Sequence, residues 1–136
     1  MIYQFLSSTD SSVNYPGNVW YDFSIDLPRV LEVDESWECA LLDIKCIPEI
    51  RSDFIVFSDI VKQSYIGNTS ASVLRVVHSW DSVFALPYYI PVARTAISHV
   101  RIYIRDLETG NIPSESVSRL TCTLGYRKRD KKRYGN

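Results

Sequence analysis

A two-residue alternation of apolar and polar side chains constrains this chain more than any other feature of its sequence. In residues 19–27 every odd-numbered position is apolar (Val, Tyr, Phe, Ile, Leu), and the even-numbered positions are Trp, Asp, Ser and Asp. Successive side chains of a β-strand point to opposite faces, so this pattern predicts a strand with one buried face and one solvent face. We expect Pro28 to end that strand, because proline cannot donate to a ladder of hydrogen bonds.

Other segments repeat this pattern along the chain. Residues 99–106 and 119–126 alternate cleanly, whereas residues 37–46 and 54–61 are apolar on both parities, which predicts strands covered on both sides. Residues 83–92 contain two prolines and are expected to form an edge strand or an extended segment. A helix is the competing interpretation for residues 37–46, but Pro48 and the flanking turns favour a strand.

The sequence therefore predicts an all-β fold of eight or nine short strands. A chain of 136 residues suffices for one domain with a hydrophobic core, which we assign to residues 1–126. An eight-stranded, two-sheet jelly roll is the natural way to bury these faces. An immunoglobulin-like sandwich is the alternative, although the Cys…Trp…Cys order typical of that fold is absent.

The three cysteines, Cys39, Cys46 and Cys122, all lie in apolar strand segments, and no two of them have the spacing of a zinc or redox motif. This pattern predicts thiols that pack in the core of a protein made in a reducing compartment. The first residues are too short an apolar stretch for a signal peptide, and no apolar run approaches the ~20 residues of a membrane helix. We expect a protein that is not secreted and has no membrane partner.

Candidate catalytic groups are few. The only histidines, His78 and His99, each occupy a position within an alternating strand pattern. Asp43 and Asp59 lie inside apolar runs, where an aspartate is expected to pair with loop amides or an arginine. The five glycines form no phosphate-binding loop, and no metal-ligand cluster is evident. The sequence therefore predicts a protein that is not an enzyme and has no cofactor, no metal and no small-molecule substrate.

The net charge of −1 conceals a strong asymmetry. Residues 127–133 hold six of the 15 basic and one of the 16 acidic residues, which leaves the rest of the chain with a net charge of −6. We assign residues 127–136 to a basic C-terminal tail, which is either a solvated terminus, a nuclear-localisation signal or an arm for nucleic acid or an acidic surface. Its basic residues are Arg127, Lys128, Arg129, Lys131, Lys132 and Arg133.

Several short blocks occur in an ordered set. Residues 23–28 (Phe-Ser-Ile-Asp-Leu-Pro) and 37–41 (Trp-Glu-Cys-Ala-Leu) resemble the F-x-V-x-L-P … W-E-V-A-L opening of minor capsid (penton-type) proteins of polintons and adintoviruses. Residues 57–61 (Phe-Ser-Asp-Ile-Val), 66–67 (Ile-Gly) and 73–77 (Val-Leu-Arg-Val-Val) are similar to the D-I … V-G … L-L-R-V-V block of that family.

The resemblance extends through the second half of the chain. Residues 88–92 (Tyr-Tyr-Ile-Pro-Val), 102–106 (Ile-Tyr-Ile-Arg-Asp) and 109–110 (Thr-Gly) are similar to the closing Y-x-P-V … I-x-I-R-D … T-G block, and residues 120–124 resemble the last strand. This chain differs from the family in its small size, its basic tail and its lack of an insertion domain.

The resemblance implies a single jelly-roll virion protein that forms homopentamers at capsid vertices, among double-jelly-roll major capsid proteins. It implies synthesis in the host cytoplasm or nucleus. The basic tail, in which this chain differs from the family, is predicted from its charge to contact nucleic acid or the capsid interior. Such a ring joins one patch to a different patch on the neighbour. Arginine and aromatic side chains are enriched at interfaces, so the candidate interface residues are Trp80, Tyr88, Tyr89, Arg101, Tyr103 and Arg105.

Two other functions fit the same sequence. One is a soluble β-sandwich module that recognises a peptide or a carbohydrate, and the other is an accessory capsid cement protein. A hydrolase or isomerase on a cupin-like barrel ranks far behind, because it would need a histidine cluster that the chain lacks.

Overall fold

The computed structural model describes residues 1–10, 14–79 and 83–129, and within those ranges it contains ten β-strands and no helix. No membrane-spanning helix therefore occurs in the described part of the chain. The strands are β1 (Ile2–Ser7), β2 (Asp22–Glu32), β3 (Trp37–Ile47), β4 (Phe54–Ser58), β5 (Ser64–Ile66), β6 (Thr69–Ala71), β7 (Val73–Val77), β8 (Ile90–Pro91), β9 (Ala96–Asp106) and β10 (Arg119–Lys128).

Eight of these strands form two four-stranded sheets, and all their pairings are antiparallel. Sheet A has the order β1-β10-β3-β8, and sheet B has the order β2-β9-β4-β7. The remaining two strands, β5 and β6, form a separate hairpin. The two sheets share one hydrophobic core, so the all-β sandwich predicted from the alternation is confirmed.

The alternating segments form strands whose faces match the prediction. In β9, Val100, Ile102 and Ile104 are at most 1% exposed, whereas Arg101 between them is on the solvent side. In β2, Phe23 and Ile25 are buried, as predicted, but the strand begins at Asp22 and not at residue 19, and Val19 is 39% exposed. β4 is buried along its whole length, as predicted from the apolar residues at both its odd and its even positions. β8 lies at the edge of sheet A, in agreement with the two prolines of its segment.

Tyr126 is the largest fully buried side chain of the core. Its hydroxyl donates a hydrogen bond of 2.7 Å to Oε1 of Gln4, across the pairing of β1 with β10. Burial raises the pKa of the Tyr126 phenol, because the phenolate would lose its water. The three cysteines are free thiols buried in the same core, where they pack as small apolar side chains.

The prediction that Pro28 ends its strand is wrong. β2 continues through Pro28 to Glu32, with an irregularity in its pairing with β9 between Asp26 and Leu31. Two features allow this: β2 lies at the edge of sheet B, and the proline falls in the stretch where the ladder is interrupted.

Two further differences concern short or terminal elements. The β5–β6 hairpin was not predicted; its turn contains Gly67 with a φ of +58°, a conformation that glycine adopts without strain. At the other end of the chain, β10 runs to Lys128, two residues beyond the predicted end of the domain at residue 126. Residues 130–136 of the tail lie outside the described residues.

Candidate subunit interface

Three of the predicted interface residues lie together on the outer face of sheet B. Arg101, Tyr103 and Arg105 alternate along β9 with buried residues. The Tyr103 ring stacks on Phe57 of β4, with 4.8 Å between ring centroids and 7° between planes. The Arg101 and Arg105 guanidinium carbons lie 4.5 Å and 5.3 Å from the Tyr103 centroid. The result is an aromatic plate flanked by two cations.

The two arginines differ in how their charge is balanced. Arg101 is held by Asp22 of β2 through two parallel hydrogen bonds, of 2.9 Å from Nε and 2.8 Å from Nη2. These bonds raise the pKa of Arg101 and fix its guanidinium in one orientation. Arg105 donates to the carbonyl oxygen of Ile104 at 2.8 Å. No carboxylate of the described residues lies within ion-pair distance of Arg105.

Asp59, in the β4–β5 connection, contacts three residues at one end of the outer face of sheet B. Its Oδ1 accepts from the backbone N–H of Arg101 at 3.0 Å. Its Oδ2 lies 3.2 Å from Nη2 of Arg94 and 3.4 Å from Nε2 of His99. The prediction that Asp59 pairs with a backbone amide or an arginine is therefore confirmed. Asp43 is half-buried and lies on the opposite side of the molecule, in sheet A.

Two other predicted interface residues, Tyr88 and Tyr89, lie on the other side of the molecule. Tyr88 is 63% exposed. Tyr89 is half-buried beneath Arg127, whose guanidinium carbon is 3.5 Å from the ring centroid. Burial raises the pKa of Tyr89. Trp80 lies outside the described residues. The structure thus separates the predicted set into two groups, and only the group on β9 forms one continuous surface.

The first basic residues of the predicted tail belong to the folded body. Nε of Arg127 pairs with Oε1 of Glu38 at 2.8 Å, and the Glu38 side chain is only 7% exposed. Lys128 lies 3.9 Å from Asp34, and the backbone N–H of Arg129 donates to the carbonyl oxygen of Ser36 at 2.7 Å. These three residues therefore fasten β10 to the start of β3. Lys131, Lys132 and Arg133 lie outside the described residues.

Sequence reasoning missed a second exposed surface, on the outer face of sheet A. Tyr3 and Phe5 of β1 point away from the core and are 57% and 77% exposed. Their neighbours Gln4 and Leu6 are buried. Because β1 is apolar on both parities and has a glutamine on its buried side, the alternation alone could not show which face was outside.

One pocket of about 540 Å³ opens near one end of the sandwich. Phe54 and Val77 form part of its wall, with His78 at the rim. Nδ1 of His78 lies 3.2 Å from Oδ2 of Asp53, and both side chains are more than a third exposed. Across residues 1–10, 14–79 and 83–129, no group of three His, Cys, Asp or Glu side chains is placed to hold a metal ion.

Comparison with known proteins returned no relative. No protein-family model matches the chain, and searches of curated proteins and of solved structures found no match either.

Proposed function

We propose that this protein is a structural virion subunit: a single jelly-roll, penton-type minor capsid protein that assembles through its outer strand faces and loops at capsid vertices. The strand order is the observation that carries the proposal. The eight sandwich strands can be numbered 1 to 8 along the chain by leaving out the β5–β6 hairpin. In that numbering, sheet A has the order 1-8-3-6 and sheet B has the order 2-7-4-5. This order supports a jelly roll, in which a long folded ribbon pairs strand 1 with 8, 2 with 7, 3 with 6 and 4 with 5. Jelly rolls are widespread in viral capsids.

The outer faces support an assembling subunit rather than an enzyme. Tyr103 is stacked, and Arg101 is held by two hydrogen bonds, so little side-chain freedom remains to be lost on association. Arginine and aromatic side chains are the groups that dominate interface energetics. A closed ring of such subunits requires two different, complementary patches on each copy. The major capsid protein is the proposed second partner, and the virion is the proposed location.

The experiment is a measurement of mass in solution. Native mass spectrometry and light scattering of the purified chain are expected to give five copies of the 15.7 kDa subunit, and electron microscopy is expected to show five-fold rings. Co-expression with a double-jelly-roll major capsid protein is expected to place it at vertices. A chain that stays monomeric at tens of micromolar and does not join such a capsid would refute the proposal.

Two results would redirect the proposal. Binding to the capsid away from its vertices, without a five-copy ring, would indicate an accessory cement protein. A stable monomer that binds a peptide or carbohydrate in the pocket of about 540 Å³ would indicate a binding module. This pocket is the observation that supports a binding module as the alternative function. Chemical-shift mapping at Val77 and His78 would locate such a ligand.

A further inference from the structure

Strand β1 lies at one edge of sheet A, so only half of its backbone groups can pair with β10. In an antiparallel pair, every second residue exchanges hydrogen bonds with the neighbouring strand, and the residues between them direct their N–H and C=O groups to the other side. The N–H of Ser8 donates to the carbonyl oxygen of its partner in β10 at 2.9 Å. Gln4 and Leu6 have the same parity as Ser8 and therefore bond to β10 as well. The backbone groups of Tyr3 and Phe5 point to the free edge.

The next outward-facing residue, Ser7, has both of its backbone groups satisfied within the chain. Its N–H donates to Oδ2 of Asp10 at 3.0 Å, and its carbonyl oxygen accepts from the N–H of Asp10 at 3.0 Å. The turn after β1 therefore fills the edge beside Ser7. Within residues 1–10, 14–79 and 83–129, no turn, loop or side chain bonds to the backbone of Tyr3 or Phe5 in this way. We call the backbone of Tyr3 and Phe5 on this side the β1 edge.

The other three edges of the two sheets carry features that oppose the addition of a strand, and β1 carries none of them. β2 contains Pro28 and pairs irregularly with β9. β8 has two residues, and β7 contains Arg75 and shifts register against β4. β1 pairs with β10 over six residues without a register shift, and it has no proline and no charged residue. Prolines, bulges, charges and short strands protect sheet edges, so β1 is the edge open to a further strand.

The side chains of the same two residues indicate what the added strand contains. Tyr3 and Phe5 are 57% and 77% exposed on the outer face of sheet A. Residues that lie directly opposite each other on antiparallel strands have Cβ atoms about 4.5–5.5 Å apart, and aromatic side chains pair favourably with aromatic or β-branched ones. Because β1 has no charged residue, it offers a charged segment no ion pair. An uncharged segment with β-branched or aromatic residues at every second position therefore complements this edge.

We infer that the β1 edge binds a short, extended, uncharged segment of a partner protein, which becomes a fifth strand of sheet A. The backbone of that segment exchanges hydrogen bonds with Tyr3 and Phe5, and its side chains pack beside theirs on the outer face. Main-chain bonds of this kind give affinity, and the alternating side chains give specificity. A short segment suits the opening because the Asp10 turn closes one end of it. The inference does not depend on the proposed capsid function.

Amide hydrogen exchange, followed by NMR on the full chain, is the measurement. In the free protein the amides of Gln4 and Leu6 are expected to exchange slowly and those of Tyr3 and Phe5 quickly, because only the first two bond to β10. The probe is a capped seven-residue peptide in which valine alternates with threonine. At millimolar concentration it is expected to slow exchange at Tyr3 and Phe5 at least ~10-fold, since both amides then have acceptors.

Matched variants separate the backbone contribution from that of the side chain. Phe5→Pro removes the outward N–H and leaves the bonds of Gln4 and Leu6 to β10, so it is expected to weaken peptide binding at least ~10-fold. Phe5→Thr keeps the N–H and supplies a β-branched side chain, and it is expected to bind the peptide as the wild type does. The same peptide with all its backbone nitrogens methylated is expected to give no protection. This last control needs no change in the protein, so it decides the question even if Phe5→Pro unfolds.

Several results would overturn the inference. The amides of Tyr3 and Phe5 would be slow to exchange in the free monomer, or the peptide would leave them unchanged, or its effects would appear only at β2, β7 or β8. Protection of the two amides that arises only when copies associate would assign the β1 edge to a second copy instead. The mass measurement that tests the proposed function counts copies in a ring, so it can fail or succeed independently of each of these results.

Discussion

Replacing Arg127 by alanine is the sharpest test of how β10 is held in the body of the protein. The Arg127 guanidinium pairs with Glu38 at 2.8 Å and stacks over Tyr89 at 3.5 Å. Glu38 is 7% exposed, whereas the arginine side chain is 35% exposed. The substitution therefore leaves a carboxylate that is buried in the folded protein and has lost its cation.

The expected loss of stability follows from this geometry. Breaking a buried ion pair by removing one partner costs about 3–5 kcal/mol, because the remaining charge stays out of water. The partial exposure of Arg127 lets water reach the vacated position, so we take the lower end of that range, about 3 kcal/mol. For a chain of 136 residues this corresponds to a fall in Tm of about 10 °C.

Urea unfolding with linear extrapolation measures the effect. The control is Arg119→Ala, an exposed arginine at the start of the same strand, which is expected to change the free energy of unfolding by less than ~0.5 kcal/mol. Combining Glu38→Gln with Arg127→Ala removes both charges and is expected to recover part of the loss. The reasoning fails if Arg127→Ala stays within ~0.5 kcal/mol of the wild type, or if the double variant is no more stable than Arg127→Ala alone.

Three further predictions concern thiols, acid stability and the tail. Burial raises the pKa of the Cys46 thiol to about 12, so a thiol reagent is expected to titrate no cysteine of the folded protein and all three after denaturation; a fast-reacting thiol in the folded state would contradict the core placement. Hydrogen bonds from the Ser79 N–H and from His78 lower the pKa of Asp53 below its ordinary 3.8. Asp53 therefore contributes its full stabilisation above about pH 4. That contribution is lost as the pH falls through the lowered pKa that Asp53 has in the folded protein. Asp53→Asn should lower the urea midpoint at neutral pH and flatten its fall in acid, and an unchanged neutral midpoint would count against this. Deleting residues 130–136 should weaken nucleic-acid binding without changing the urea midpoint, and binding equal to that of the full chain across a salt series would rule out the arm.

The strands that sequence reasoning placed correctly are those whose two faces differ in polarity. β9 was predicted to its last residue, Asp106, because Arg101 and Tyr103 separate three buried aliphatic residues, although the strand begins at Ala96, three residues before the predicted start. The part of β2 after Pro28 was not predicted, because a proline normally ends a ladder of hydrogen bonds. The strand tolerates Pro28 because β2 lies at the edge of sheet B. The β5–β6 hairpin has strands of three residues each, too short for any period to emerge.

The candidate interface surfaces were less predictable than the strands, for a physical reason. The run of basic residues from 127 to 133 predicted a tail outside the folded domain, yet Arg127 belongs to β10 and pairs with Glu38, 89 positions earlier in the chain. A local count of charge cannot reveal such a partner. The face of β1 was equally hidden, because Tyr3 and Phe5 are as apolar as the residues on its buried side. Only the pairing of β1 with β10 determines which face of β1 is exposed to solvent.

The position of β10 between β1 and β3 has a consequence for how the protein is made. Leu120 of β10 donates to Ser8 at the end of β1, a contact between residues 112 positions apart. At ~5–20 residues per second, a ribosome needs roughly 6–20 s to reach β10 after finishing β1. During that interval β1 has no neighbour in its ladder, and a chain stopped before β10 leaves sheet A divided. Sheet A of the native fold can therefore form only after the last strand has been synthesised, and prematurely terminated copies would lack the strand that joins β1 to β3.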